Sequence, residues 1–574
     1  MGYGFVEYHD CYFLTILLRR KSIDITGAGF FKKQFLKGKA NCIAISFNKP
    51  GTIFLQKGLN IAMKRDGATT SLWQPTSGDF ISKHGTPGNK AFDVVIVGGG
   101  ITGITTRLLL QQKGHNCLIA EAHNICFGTT GGTTAHLNTF FDNPYDQIQS
   151  DFGEDTAQLV ANATRQSLSL FKKHIEEYAI DCNYEIKDGY VFAQTGEQEK
   201  ALEKMYEASK NAGVKVAYAE TIPVPVEYKK AIVYAGQAQI HPTRYVHTLA
   251  KEFEKAGGII LQNCLIDKFE EKDGFLDIGS SQGKLQARNL VYATHIPPGV
   301  NLLHFRCAPY RSYAMAVSLK DDNYPEGLAY DMYDPYHYYR TQLVDGKKYL
   351  IAGGEDHKTA HIQNTEACFN HLEAYLRKYY NIDNVAFKWS SQYFEPADGL
   401  AYIGHLPGNP ENVFVATGFG GNGITYSHIA AITLSDLIMK GDSEFKHLFN
   451  PNRIKPVAGF TSFVKENVDV VKEFFKKRFS PSDLTEIADL APGEARLVKY
   501  EGESIALYKD DNGKLHAIDP VCPHAKCMVD WNSAEKSWDC PCHGSRFSYD
   551  GELLTGPSSR GLETIEISDL VENK

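Results

Sequence analysis

Hydrophobic and polar positions fall into blocks of different period along the chain. From Ala91, "AFDVVIVGGGITGITTRLLLQQKGHNCLIAEA" reads as an apolar strand, a glycine turn, an amphipathic helix and a second apolar strand closed by Glu121. Residues 156–180 and 197–212 repeat apolar positions at helical spacing, whereas 300–395 alternate and are rich in tyrosine, the pattern of antiparallel strands. "VFVATGFGGNGITYSHIAAITLSDLI", from Val413, returns to strand, glycine turn and helix. "PNRIKP" at 451–456 marks a boundary, and "FVKENVDVVKEFFKKRF" reads as an amphipathic linker helix. After Pro481, short strands separated by turn signals such as "DDNG" predict a small all-β domain.

Composition narrows the classes. A chain of 574 residues, 43 % of them hydrophobic, suggests three or more folding units. A formal charge of -8 argues against nucleic acid as a partner, since phosphate binding needs a basic surface. No apolar run approaches the roughly 18 residues of a membrane span. Residues 1–62 lack sustained periodicity and are basic, so we read them as an extension with Met63 the working start and 63–90 a polar lead-in. In "CYFLTILLRRKS" the charge comes after the apolar stretch, the reverse of a secretory signal, and Asp24 interrupts the weak apolar stretch beyond the arginine pair. Eight of the twelve cysteines are scattered singly, as reduced thiols of a cytoplasmic protein are. The other four crowd into 522–542.

Gly98, Gly100 and Gly103 form a G-x-G-x-x-G between strand and helix, and Glu121 ends the next strand about 20 residues on, the dinucleotide fingerprint. Gly98 permits the tight turn, Gly100 lets a pyrophosphate approach the backbone, and Gly103 lets helix and strand pack. Thr102 lies in the first turn of that helix, whose N-terminus faces the phosphates, while Glu121 would accept the ribose hydroxyls. NAD and FAD share this fingerprint.

The segments "ADGLAYIG" (397–404), "ATGFGGNGI" (416–424), "GTTGGTTAH" (128–136) and "IHPTRYVHTLAKEFEKAGGIIL" (240–261) resemble the D-amino-acid-oxidase and glycine-oxidase family of FAD enzymes. The resemblance covers about 91–445. It implies FAD-binding segments at about 91–155, 235–300 and 396–445, interleaved with mixed-sheet substrate segments at about 156–234 and 301–395. Thr130 and the turn of Gly418, Gly420, Gly421, Gly423 and Ile424 then contact the cofactor. A helix starting near Gly423 would aim its N-terminus at the flavin ring and favour the anionic reduced form. "VYATH" (291–295) departs from the family, which usually has a glycine after Ala-Thr.

In the last block, Cys522-Pro-His524 and Cys540-Pro-Cys542-His543 are separated by fifteen residues. Two cysteines and two histidines could close a zinc tetrahedron. The pattern, with "GELLTGPSS" after it, resembles the Rieske family instead, in which two histidines replace two cysteines on one iron of a [2Fe–2S] cluster. The resemblance implies an all-β domain over 484–574 after a linker helix at 446–483. Cys522 and Cys540 would hold one iron, His524 and His543 the other, and Cys527 and Cys542 would form a disulfide between the cluster loops. Ser545 matches the serine that donates to a bridging sulfide, and Phe547 replaces a tyrosine donor, which places the potential below the top of the Rieske range. "HAKC" (524–527) replaces the usual "HLGC".

The expected fold is therefore α/β plus all-β. The expected function is an FAD-dependent oxidoreductase that oxidises a small organic substrate, an amine or amino acid, and passes electrons through the cluster to an external one-electron acceptor. A reductase of an oxygenase system would need a second dinucleotide fold, and no second G-x-G-x-x-G stands between strand and helix; a redox sensor would not need the full substrate segment at 300–395. In "YHYYRTQLV" alternation puts Tyr338 and Arg340 on one strand face and His337 and Tyr339 on the other. The resemblance to the amino-acid oxidases, in which an arginine commonly grips the substrate carboxylate, makes Tyr338, Arg340 and Arg311 the expected substrate contacts. His136 and His295 read as packing or loop residues. The helix at 463–479 is expected to pack on the flavin domain in preference to a membrane surface.

Overall fold

A computed structural model describes residues 44–47, 53–56, 64–83, 88, 90–453, 482–483, 490–500 and 502–566. The chain divides into two units, Met1–Ile61 and Ala62–Lys574. In the first, Ala44–Phe47 pairs antiparallel with Ile53–Gln56; the rest of the expected extension lies outside the described residues. So does the expected linker helix at 463–479.

The second unit holds an eight-stranded sheet whose centre is the fingerprint. Ala91–Val97 runs parallel to Cys117–Ala120 on one side and to Gly283–Tyr292 on the other, and Val413–Thr417 adds beyond Gly283–Tyr292. These strands read as continuous apolar runs because both of their faces are covered. Helix Ile101–Gln112 is buried on nearly every face, lying between this sheet and helices Pro242–Lys255 and Gly423–Lys440. The returning segment at 413–440 therefore completes the layer begun at Ala91.

A nine-stranded sheet forms the second layer. Its long strands Cys307–Leu319, Lys347–Lys358 and Ile382–Pro396 pair antiparallel, with Tyr338–Val344 next to Lys347–Lys358. Alternation is observed: Tyr338 and Arg340 face one way, while Tyr339 and His337 meet Tyr375 on the other side. Helix Glu366–Tyr379 interrupts the region expected to be all strand. Its buried Cys368, Phe369, Leu372 and Leu376 follow the helical period, which the surrounding tyrosine alternation masks.

The last block folds into two four-stranded sheets, the second made of Asp530–Asn532, Ser537–Asp539, Arg546–Ser548 and Leu553–Thr555. Six buried charges join it to the rest. Arg65 pairs with Glu535 at 3.0 Å, Arg546 with Asp66 at 3.0 Å and Asp539 at 3.1 Å, and Arg311 approaches Asp539 at 3.5 Å. Three arginines thus balance three carboxylates, which is what charges removed from water require. The lead-in at 64–77 is part of this body: Arg65, Asp66 and Trp73 are all buried.

Candidate flavin and iron–sulfur sites

The fingerprint glycines are needed for room. Gly98 has φ +110°, and a Cβ there would fall 2.5 Å from the Ala293 carbonyl oxygen. A Cβ on Gly103 would fall 2.1 Å from the Gly98 carbonyl oxygen. Glu121 accepts from the Gly99 amide at 2.6 Å and the His123 amide at 2.8 Å. Burial raises its pKa, and those two amides oppose the rise. Thr130 Oγ1 accepts from the Ile101 amide at 3.1 Å, tying the 128–136 loop to the helix N-terminus.

These groups open onto one cavity of about 370 Å³. Gly98, Gly100, Thr102, Glu121, Thr130, Gly420, Gly421, Gly423, Ile424 and Tyr338 line it. Gly103 and Gly418 do not; the first serves helix packing and the second, at φ +69°, the turn. Leu553, Thr555 and Gly556 of the small domain also line the cavity. His295 does too, and its φ of +71° shows that the backbone keeps a conformation favouring glycine where the sequence departs from it. Its ring packs on Phe394, and its Nδ1 lies 3.2 Å from Thr129 Oγ1.

Arg340 and Arg311 are not among the residues lining this cavity. Arg340, fully buried, donates from Nη1 to the Thr134 and Ala135 carbonyls, both at 2.7 Å, and from Nη2 to Ile240 at 3.2 Å. Ser71, Trp389 and Trp73 donate in the same way to the carbonyls of Gly131, Gly132 and Thr133. Five successive loop carbonyls are thus held by side chains, and Thr133 and Thr134 line the cavity beside them. Ser71 and Trp73 were missed from sequence, since a lone tryptophan in a polar stretch carries no period. Arg311 donates to Ser390 Oγ at 2.7 Å and belongs to the interdomain charge network.

Sequence reasoning also missed two carboxylates. Asp356 accepts from Ser312 Oγ and from Tyr393 Oη, the latter at 3.0 Å, and Ser312 Oγ is 3.0 Å from Tyr338 Oη. Asp142 accepts from Tyr336 Oη at 3.2 Å and from the Gly421 amide at 2.8 Å. Burial raises both pKa values, Asp356 to about 7, and the charge of Asp142 adds to the rise at Asp356. Strand alternation could have flagged Asp356; Asp142, in a loop, left no signal.

In the small domain Cys527 and Cys542 are disulfide-bonded, which leaves Cys522 and Cys540 as buried free thiols. These two sulfurs share a hydrogen bond that lowers the Cys522 thiol to about 7 and raises Cys540. The rings of His524 and His543 stand 4.9 Å apart, and Nδ1 of each is buried without a partner. Two adjacent thiols and two unpartnered imidazole nitrogens suit a cluster with two sulfur and two nitrogen ligands. Ser545 directs its hydroxyl at Cys522.

Fold and site together define a two-centre redox protein. The chain belongs to the FAD dependent oxidoreductase (DAO) family, whose model matches residues 93–437, and a Rieske [2Fe-2S] domain matches 481–566. It is an FAD-dependent oxidoreductase with FAD and a [2Fe–2S] cluster as cofactors, so the zinc reading is set aside. A Bacillus subtilis (strain 168) protein named as a Rieske 2Fe-2S iron-sulfur protein, YhfW, is 31 % identical over 87 % of this chain and 98 % of its own length. The gamma-glutamylputrescine oxidoreductase of Escherichia coli (strain K12) is 23 % identical over 61 % of this chain and 84 % of its own. The crystal structure of glycine oxidase from Geobacillus kaustophilus shares the fold over 63 % of this chain and 99 % of that one, at 19 % identity and a TM-score of 0.53. Among the described residues no helix is long and apolar enough to cross a membrane.

Proposed function

We propose that the protein oxidises a small organic substrate in the tyrosine-walled part of the cavity and passes the electrons to the cluster and then to an external one-electron acceptor. The observation that carries this is the seating of the cluster domain. His524 contacts Gly299 and His304 of the flavin domain, and Leu553, Thr555 and Gly556 line the same cavity as the fingerprint. A cluster domain that served only outside partners would gain nothing from turning a ligand histidine inward.

FAD supplies two-electron oxidation, and the cluster supplies one-electron transfer. The rest falls to the chain. Gly98, Gly100, Thr102 and Thr130 would cradle the pyrophosphate with backbone and hydroxyl groups, Gly103 would let the helix pack close enough to present them, and Glu121 would take the ribose. Gly420, Gly421, Gly423 and Ile424 would cover the ring, Gly418 making the turn that brings them there, with the helix N-terminus stabilising negative charge. Cys522, Cys540, His524 and His543 would hold the cluster. Tyr338 would face the substrate, while Arg340 positions the 128–136 loop. The buried single thiols Cys117, Cys126, Cys182, Cys264, Cys307 and Cys368 support a reducing, cytoplasmic setting.

The test is anaerobic mixing with amines, amino acids and hydroxy acids, followed by an artificial one-electron acceptor. The reading expects one class to bleach the flavin. His543→Ala should leave bleaching intact while acceptor reduction falls at least ten-fold. If NADH alone bleaches the flavin and no organic substrate does, the reading fails.

A further inference from the structure

We propose that the substrate is an organic ammonium ion without a carboxylate beside its nitrogen, held by Asp356 and Asp142 within the tyrosine wall. This rests on the reading above that the cavity is the substrate site.

The charges that line the cavity are all of one sign. Its described lining contains Glu121, Asp142 and Asp356, and neither lysine nor arginine. Glu121 belongs to the fingerprint, with both oxygens on backbone amides. Asp142 and Asp356 stand with Tyr330, Tyr336, Tyr338 and Tyr393. A substrate carrying a carboxylate next to its nitrogen would bring a third anion to this wall with no cation to receive it. The two arginines able to do so from the same sheet are turned to loop carbonyls and to the interdomain network. His136 is no substitute: burial, and then Arg340, hold its pKa well below the ordinary value, so it is neutral.

An ammonium ion meets the opposite reception. Each carboxylate accepts two hydrogen bonds from the protein and keeps lone pairs for charge-assisted bonds to N–H donors. The rings of Tyr336 and Tyr338 lie 5.7 Å apart at 53°, and His136 meets Tyr338 edge-on at 5.7 Å. Aromatic faces so placed attract a cation through their quadrupoles. Tyr330 and Tyr338 are buried, and their rings limit the water that would screen the attraction.

The test compares butylamine with norvaline, which is butylamine bearing a carboxylate on the carbon next to nitrogen. Binding to the FAD-loaded full chain is read as perturbation of the flavin absorption, and bleaching is followed anaerobically. We expect butylamine to bind at least ten-fold more tightly than norvaline and to bleach the flavin. Asp356→Asn, which keeps the size and acceptor oxygen, should weaken butylamine at least ten-fold and norvaline by much less. Equal or tighter norvaline binding, equal losses in the variant, or no binding of either overturns the inference. The wild-type pair decides even if the variant does not fold. If butylamine is preferred and bleaches the flavin while the cluster stays oxidised, the relay fails and the substrate class stands. If norvaline is preferred and the cluster is reduced, the reverse holds.

Discussion

Nε2 of His524 lies 3.1 Å from Nδ1 of His304, across the join between the cluster domain and the flavin domain. The neighbours set the tautomers. His304 Nε2 sits 2.8 Å from the Pro297 carbonyl and so carries a proton, which leaves Nδ1 an acceptor. His524 Nε2, 3.0 Å from the Gly299 carbonyl, carries the donated proton. Nδ1 of His524 is therefore the bare nitrogen, the one without a partner that would face iron. His304→Ala should retain iron and sulfide but lower stability by about 1–3 kcal/mol, the cost of leaving the buried Pro297 carbonyl without its donor. Thermal unfolding followed through the cluster's visible signal checks this, and an unchanged midpoint would mean that the contact does not hold the domains.

Glu535 controls the second join. Burial raises its pKa, but Arg65, Arg311 and Arg546 overcome that and hold it at about 2. Because the folded value lies below the unfolded one of about 4.3, its contribution is present above that pH. It is lost as pH falls toward 2. Glu535→Ala would leave three buried arginines facing two carboxylates, with Arg65 keeping only Asp66, at about 3–5 kcal/mol. Denaturant unfolding at pH 7 should show this loss, and at pH 3 the gap between variant and wild type should narrow.

Gly103→Ala should empty the flavin site without unfolding the chain, since its Cβ would meet the Gly98 carbonyl at 2.1 Å. We expect flavin content to fall at least ten-fold while the cluster signal persists. Absorbance ratios on the purified variant are sufficient to test it.

Cation binding should rise with pH around Asp356. Burial and the charge of Asp142 raise its pKa to about 7, while Ser312, Tyr393 and the nearby His337 act in the opposite direction. As a raised carboxyl, it favours the fold below its unfolded pKa, and that benefit is lost as pH passes 7. Butylamine remains protonated throughout, so its affinity should increase about ten-fold from pH 6 to 8 as the carboxylate forms. Asp356→Asn should flatten the profile, as binding titrations at fixed ionic strength would show.

The parts legible in sequence were those with a period or a fixed spacing. The strand, turn and helix from Ala91 appear where apolar runs and glycines predict them, and so does the 413–440 return. Within the cysteine and histidine pattern Cys522 pairs with Cys540 and the ring of His524 meets that of His543, and the extra cysteines form a disulfide. Contacts between distant segments left no such trace. Glu535 and Arg65 are 470 positions apart, and no local pattern marks either. Strand alternation places Arg340 on the correct face, but the open carbonyls of the 128–136 loop, which claim its guanidinium, are a feature of the folded backbone alone. The helix at Glu366–Tyr379 was hidden because its tyrosines blend with the strands around it.

The central claim is electron flow inside one chain, from substrate through FAD to the cluster. The most direct measurement is an anaerobic single turnover with substrate below one equivalent, sampled by optical absorption and by freeze-quenched paramagnetic resonance. The account predicts flavin bleaching first and then a Rieske-type signal that grows as flavin absorption partly recovers, with a rate independent of protein concentration. A bleached flavin beside a cluster that stays oxidised, or a rate that scales with protein concentration, would contradict it.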